Sequence, residues 1–312
     1  MSKPANYLFQ SYNLRAGSTF RNTRFLFNSA RHLRLQSEKN WRLYELREEG
    51  KPRVIVRVAF HIENELAASP LRAPFGFAEF YKQISTEALA NFLLRIEADL
   101  KSRGVQKINL KSYPEMYDPH AGKMEAVLQR LQYAITSEVS SIIEVDSKLY
   151  EKKVKISERQ KLIKANKLFS FERVRGSYAK EIYSFIAECR KEKGQTLSMS
   201  LPELIKTVSV FPKNFFFYRV YDTNGTAAAA IVIKVNSKIL YTFYYAHGNK
   251  FDKVSPVVLL ISGIYELARQ QGIELIDLGT SMLNGKINRS LLHFKRSIGG
   301  QSNRKLIFEK TL

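Results

Sequence analysis

The sequence is poor in the residues that most often announce a function. It has one cysteine, Cys189, in 312 residues, so no intrachain disulfide is possible and no thiolate cluster can form. Cys189 lies in a helical-looking run, 177–193, and reads as a buried apolar filler. The five histidines are scattered, with no pair at the H-x-x-x-H spacing of a helical metal site, and no metal is expected. There is no G-x-S-x-G and no Ser/His/Asp order that demands a hydrolase. No apolar run approaches the ~18 residues that suggest a membrane span. The richest stretch, Val254–Ala268, is broken by Ser262, Gly263 and Glu266 and reads as a core helix. Met1–Phe20 has no continuous apolar stretch, so no signal peptide is expected and the cytoplasm is the default location.

Acidic residues are scarce as well. Asp and Glu number 29 against 50 Lys and Arg, a formal charge of +21. Such a surplus favours an anionic partner: nucleic acid, a nucleotide-linked substrate, a cofactor phosphate or an acidic membrane surface. Charge alone does not choose among them. The densest basic segment, Lys152–Lys167, carries Lys152, Lys153, Lys155, Arg159, Lys161, Lys164 and Lys167. It reads as a helical inter-domain connector with a solvated face, a nucleic-acid contact being the sharper alternative.

The rest is ordinary globular material, 45% hydrophobic and 25% charged, enough for two domains. Arg42–Glu48 and Val54–Ile62 look like strands joined by a turn at Glu49-Gly50-Lys51-Pro52. In the second of them Arg57 and His61 mark the face opposite the valines. A proline- and glycine-punctuated loop follows at Ser69–Gly76. Leu89, Phe92, Leu93, Ile96 and Leu100 then repeat at helical spacing between a cap at Ser85 or Thr86 and a stop at Gly104. A strand at 105–110, a helix near 123–134 and a strand near 135–145 complete the first half. The second half reads as a strand at 169–173 and helices near 178–193 and 201–210. Strands at 215–221, 227–235 and 238–246 follow, then a helix at 254–271, a strand at 273–278, a helix at 287–297 and a strand at 304–310. Asn224-Gly225 is a hairpin signal between the first two of those three strands.

The order repeats. Gly104–Leu110 parallels Gly272–Leu278 at a constant offset of 168 residues, each piece being a glycine stop followed by a short buried strand. Strand-strand-helix-strand-helix-strand occurs twice. The expected organisation is therefore α/β with mixed sheets, in two similar domains over 1–150 and 151–312.

The C-terminal stretch is the most specific. Asp277-Leu278-Gly279-Thr280-Ser281 is followed by Asn284-Gly285 and then by Leu292-His293-Phe294-Lys295-Arg296-Ser297-Ile298-Gly299-Gly300. This resembles the ending of the FemABX and BioF2-like acyltransferases, where a strand ending in Asp-hydrophobic-Gly precedes a helix with Phe-Lys-x-x-hydrophobic-Gly. Ser69-Pro70 and Ala73-Pro74-Phe75-Gly76 are similar to a loop in the N-terminal copy of those proteins. The resemblance covers roughly residues 40–312. It implies two tandem GNAT folds, the first degenerate and the second catalytic, and transfer of an acyl or aminoacyl group to an amine in cell-envelope or polysaccharide precursors. It implies no tightly bound cofactor, the donor being aminoacyl-tRNA, acyl-CoA or an acyl carrier, so that the anionic partner would be tRNA, CoA or a nucleotide sugar. A peripheral membrane contact is compatible with the charge. One departure from simple acetyl-CoA enzymes is clear. Gly248–Pro256 lacks the Q/R-x-x-G-x-G/A loop that presents amides to pyrophosphate.

In the resemblance the motif lysine acts in catalysis and phosphate recognition, which falls here on Lys295 beside Phe294. A lysine near a helix N-terminus, aimed at a reacting ester or phosphate, would supply electrostatic stabilisation. Arg289 and Arg296 match phosphate oxygens as guanidinium forks, although Arg296 points about 100° away from Lys295 on a helix. Asn284 joins them as a substrate-binding candidate. Tyr244 and Tyr245 face opposite sides of a strand, so one can line a cleft and the other the core. His247 has the ordinary chemistry of a general base. Asp277 ends a strand beside a glycine loop, a common place for site residues. The alternative reading is a non-catalytic basic nucleic-acid-binding or scaffold protein on a degenerate version of the fold.

Overall fold

The computed structural model of the chain describes residues 7–20, 22–51 and 53–312. Residues 1–6 of the N-terminal stretch and Pro52 of the first expected turn lie outside them.

The first sequence copy begins with β1 (Tyr7–Asn13), α1 (Ala30–Gln36), β2 (Trp41–Glu48), β3 (Val54–Glu63), β4 (Leu66–Ser69) and β5 (Glu79–Phe80). It continues with α2 (Thr86–Ser102), β6 (Lys107–Lys111), α3 (Ala121–Arg130) and β7 (Ala134–Glu144). Ser85 caps α2 by accepting from the Ala88 amide, and Leu89, Phe92, Leu93, Ile96 and Leu100 are all buried, as their spacing requires. Arg57 and His61 are buried too. The non-valine face of β3 is thus covered rather than solvated, and Arg57 is held there by ion pairing with Glu45 at 2.7 Å.

The basic segment folds as α4 (Ile156–Leu168). The second copy then runs through β8 (Ser170–Val174), α5 (Ala179–Lys191), α6 (Leu201–Val210), β9 (Phe215–Asp222), β10 (Gly225–Lys234) and β11 (Ile239–His247). It ends with α7 (Pro256–Gln270), β12 (Leu275–Thr280), a small hairpin of β13 (Met282–Leu283) and β14 (Lys286–Ile287), α8 (Arg289–Ser297) and β15 (Gln301–Thr311). Helix α6 starts with a reciprocal Ser200–Glu203 capping box, which fixes its first turn.

The repeat seen in sequence is also a repeat of hydrogen bonds. The amides of Gln106 and Lys107 both donate to the Glu65 carbonyl, at 2.8 and 3.1 Å; 168 residues later those of Glu274 and Leu275 donate to the Lys238 carbonyl at the same two distances. Gly104 and Gly272 stop their helices at φ +80° and +66°, a conformation that glycine adopts without a Cβ clash. The strands follow the same order in each copy of the pattern. One set runs β1-β2-β3-β4-β6-β15, with β5 on β3, and the other β8-β9-β10-β11-β12-β7. Each is antiparallel except at the fourth and fifth strands, where β4 lies parallel to β6 and β11 parallel to β12.

The compact units are Met1–Glu138 with Asn303–Leu312, and Val139–Ser302. This differs from halves divided at residue 150. The cause is the last strand of each copy: β15 pairs with β6 of the first unit, and β7 pairs with β12 of the second. Sequence order cannot reveal such an exchange, because either strand would satisfy the same antiparallel edge. The second unit's core lies on one face of its sheet, where Val257, Leu260, Ile264 and Tyr265 of α7 meet Tyr218, Val232, Leu240 and Ile276.

Candidate functional site

The parallel pair in the second unit is a fork. β11 and β12 pair through Ile239–Leu275, Leu240–Ile276 and Tyr241–Asp277. β11 then runs on to His247 and β12 to Thr280 with no further pairs between them among the described residues. At the parting point the Thr242 hydroxyl donates to the Asp277 carbonyl at 2.9 Å, replacing a backbone rung with a side chain. One step on, the β10–β11 register slips so that Phe243 is an extra residue on β11. A bulge of this kind bends the strand and re-aims the side chains after it.

Lys295 sits at the open end of the fork. It lies in the last turn of α8, not near the N-terminus of the helix as expected. Its side chain, 2% exposed, runs inward under β12. The Nζ donates to the carbonyls of Gly279 and Thr280 at 2.9 and 2.8 Å. Burial pushes its pKa down to about 8; the Asp277 carboxylate opposes that shift, and Arg190 adds to it. Asp277 is itself buried and accepts from the Gly279 amide at 2.7 Å. That bond shapes the turn that presents the two carbonyls to Lys295.

Tyr244 and Tyr245 take opposite faces, as strand geometry dictates. The Tyr244 hydroxyl shares a 2.8 Å hydrogen bond with Ser198 Oγ and accepts from the Met199 amide at 2.9 Å, so it ties down the loop between α5 and α6. The Tyr245 ring packs against the core. Its hydroxyl is buried and has no hydrogen-bond partner among the described residues. Burial raises its pKa. A buried hydroxyl without a partner is costly. His247 pairs with Asp252 through Nε2 at 2.8 Å, and burial lowers its pKa despite that carboxylate.

Other expected site residues are not brought to Lys295. Arg296 is exposed and donates to Ser302 Oγ at 2.9 Å, since the helix turns it away. Arg289 is exposed on the first turn of α8. Asn284, at φ +49°, and Gly285, at φ +73°, form the tip of the β13–β14 hairpin, a turn that needs positive φ at both positions. Phe294 packs against the core beside Lys295. Cys189 is buried and burial pushes its thiol up, away from nucleophilic character.

Arg190 of α5 escaped the sequence reading. It is half-buried, donates to Gln195 Oε1 at 2.6 Å and to the Tyr245 carbonyl at 3.3 Å, and is near enough to Lys295 and Tyr245 to lower the pKa of both. Nothing local distinguishes it from the other 49 basic residues; only the path of β11 across α5 does. Lys295 and Arg190 together make a positive centre suited to a negatively charged oxygen.

The loop before α7 is closed on itself. The Phe251, Asp252, Val254 and Ser255 amides donate to carbonyls within the loop, and the Val258 amide to Ser255. Ser255 is left-handed, at φ +54°, and Pro256 opens the helix without an N–H. Those amides are thereby taken and cannot cradle a pyrophosphate. Two surface hollows, of about 570 and 360 Å³, are lined by Ser177–Ser184 and by residues around Arg173 and Phe215. Neither is lined by Lys295. Among the described residues no group of three or more His, Cys, Asp or Glu is placed to hold a metal ion.

A mixed sheet with a single parallel fork, made twice, is the tandem GNAT fold that the sequence resemblance implies. Among solved structures, FemX matches with a TM-score of 0.69 over 92% of both chains at 12% identity. L-PGS from Bacillus licheniformis matches at 0.58 over 89% of this chain and 85% of that one, at 10% identity. The C-terminal domain of a putative lysylphosphatidylglycerol synthetase from Agrobacterium fabrum matches at 0.53 over 81% of each, at 13% identity. No family model matches the sequence, and no curated protein does. The likeness is therefore one of fold, and it agrees with the FemABX-type reading of the C-terminal motif.

Proposed function

We propose that this chain is a cytoplasmic N-acyltransferase of the FemABX type, moving an aminoacyl or acyl group from an activated ester to an amine of a cell-envelope or polysaccharide precursor. The observation that carries the reading is Lys295, a buried ammonium held at the open end of the second unit's fork. The C–N bond forms as the donor's ester C–O bond breaks, and the proton the amine loses balances the one the departing oxygen takes up. Lys295, backed by Arg190, stabilises the negative oxygen that develops or holds the donor's phosphate. Such fixed charge is worth about 3–4 kcal/mol of barrier for one donor. The Tyr245 hydroxyl is the second donor. Fold likeness to FemX and to the C-terminal domain of a putative lysylphosphatidylglycerol synthetase supports aminoacyl transfer, and the self-bonded loop before α7 favours aminoacyl-tRNA over acyl-CoA as donor.

The test is single-turnover transfer from charged tRNA, and separately from acetyl-CoA, to a panel of amino-sugar and peptide amines. Aminoacyl-tRNA should be used and acetyl-CoA not. Lys295→Met should slow the transfer about 100- to 1000-fold with retained circular dichroism. Equal rates for Lys295→Met and the wild type, or use of acetyl-CoA alone, would overturn the reading.

A further inference from the structure

Helix α4 has two apolar faces where a surface helix needs one. Leu162 and Ala165 point into the core beside α7, with Glu158 between them and the Lys161 ammonium. Farther round the helix, about 110° from Leu162 and about 170° from Ala165 at 100° per residue, Ile156 and Ile163 stand within about 20° of each other and are 71% and 52% exposed. Leu149, just before the helix, and Leu168, at its end, are 52% and 56% exposed. These are among the most exposed large apolar side chains of the chain, and four of them fall within twenty residues. Around the isoleucine line lie Lys155, Arg159, Lys164 and Lys167, and Lys152 precedes them. The only acidic residue in the helix, Glu158, is on the buried side, ion-paired with Lys161 at 2.8 Å. Phe169, at the C-terminal end of α4, meets Phe251 edge-on at 5.4 Å, which brings exposed Lys250, Asp252 and Lys253 near that end of the helix.

We propose that this face of α4 docks the protein on an anionic phospholipid surface. Charge complementarity selects an acidic partner, and the aliphatic line selects among acidic partners. Isoleucine and leucine gain nothing against the sugar-phosphate backbone of RNA. At a bilayer they enter the headgroup–acyl boundary while the lysines reach to lipid phosphates. The inference does not depend on the transfer reaction and its test requires no activity.

The experiment is co-sedimentation of the full chain with vesicles of phosphatidylcholine containing roughly one-third phosphatidylglycerol, against phosphatidylcholine alone. Retention is expected on the anionic vesicles only, falling as salt shortens the Debye length from about 10 Å at 0.1 M to about 3 Å at 1 M. Ile156→Ser with Ile163→Ser should weaken binding about tenfold per residue, and Lys164→Gln with Lys167→Gln about fivefold per residue. All four side chains are exposed, so circular dichroism and melting should be unchanged. Absence of retention on anionic vesicles, or retention indifferent to the serine pair, would overturn the proposal. So would tRNA retention lost in the glutamine pair without any vesicle binding, which would assign the face to RNA.

Discussion

The two copies build the same fork and treat it in opposite ways. In the first unit β4 pairs with β6 through Leu66–Ser69 and stops. The loop Ala73–Phe77 returns, and the Gly76 amide donates to the Lys111 carbonyl at 3.1 Å. Phe75 and Phe77 from that loop are buried against Tyr113, so the fork is plugged by its own chain. In the second unit the carbonyl 168 residues later belongs to Gly279, and its donor is the Lys295 ammonium. The residue at the Lys295 position in the first copy is Val127, fully buried in α3, and α3 and α8 begin at the same offset. One fold therefore satisfies a strand-end carbonyl either with a backbone amide that closes the fork or with a buried cation that leaves it open. A valine there is stable and chemically inert. A lysine costs desolvation, which its two carbonyl partners offset.

The largest effect should come from forcing the first copy to imitate the second. Val127→Lys places an ammonium in a buried site, and the Lys111 carbonyl, the counterpart of the one Lys295 bonds, is already taken by the Gly76 amide. A buried charge without a partner should cost about 4 kcal/mol or more, read as a shift in the urea unfolding midpoint. A cost under about 1 kcal/mol would mean that the site is wetter than the buried Val127 implies, and the contrast between the copies would fail.

Much of this arrangement could be read before any coordinates. The cap at Ser85 and the stops at Gly104 and Gly272 are local devices, and helix α6 falls on 201–210 as expected. Lys295 and Asp277 come together because motif and strand end lie close in sequence. Three things were not legible. β1 and α1 carry weak periodicity and owe their place to pairing and packing. The exchange of β7 and β15 depends on a choice between equivalent partners. Arg190 belongs to the site only because β11 crosses α5, a contact 55 residues distant in the chain.

A smaller effect, in pH, sharpens the same contrast. In the unfolded chain Lys295 titrates near 10.5, and in the fold near 8. Below about 8 both states hold the proton, and the cost of burying the charge stands in full. Between these values the unfolded chain binds the extra proton, so stability rises with pH, by about 3 kcal/mol in all. Lys295→Met lacks this contribution, and Val127 offers none in the first copy. The stability of wild type relative to Lys295→Met should therefore climb from pH 8 to 10.5. A flat difference would show that the lysine is solvated in the folded state.

The smallest expected effects concern the two glycines that face the fork. At Gly76 an added Cβ would come within 2.6 Å of the Pro70 nitrogen, and backbone cannot yield cheaply. Gly76→Ala should cost about 2 kcal/mol by overpacking and should unseat the plug of the first unit. At Gly279 the nearest atoms beyond its neighbours are those of the Tyr241 ring, at 3.7 Å. Space is available there, and only the positive φ of +77° opposes the change, at about 1 kcal/mol. Thermal melts of the two variants should rank in that order. Transfer activity should rank the other way, because the Gly279 carbonyl anchors Lys295 whereas Gly76 anchors only its own loop. If Gly279→Ala destabilises more than Gly76→Ala, the second fork is the tighter of the two and cannot be the one that admits a substrate.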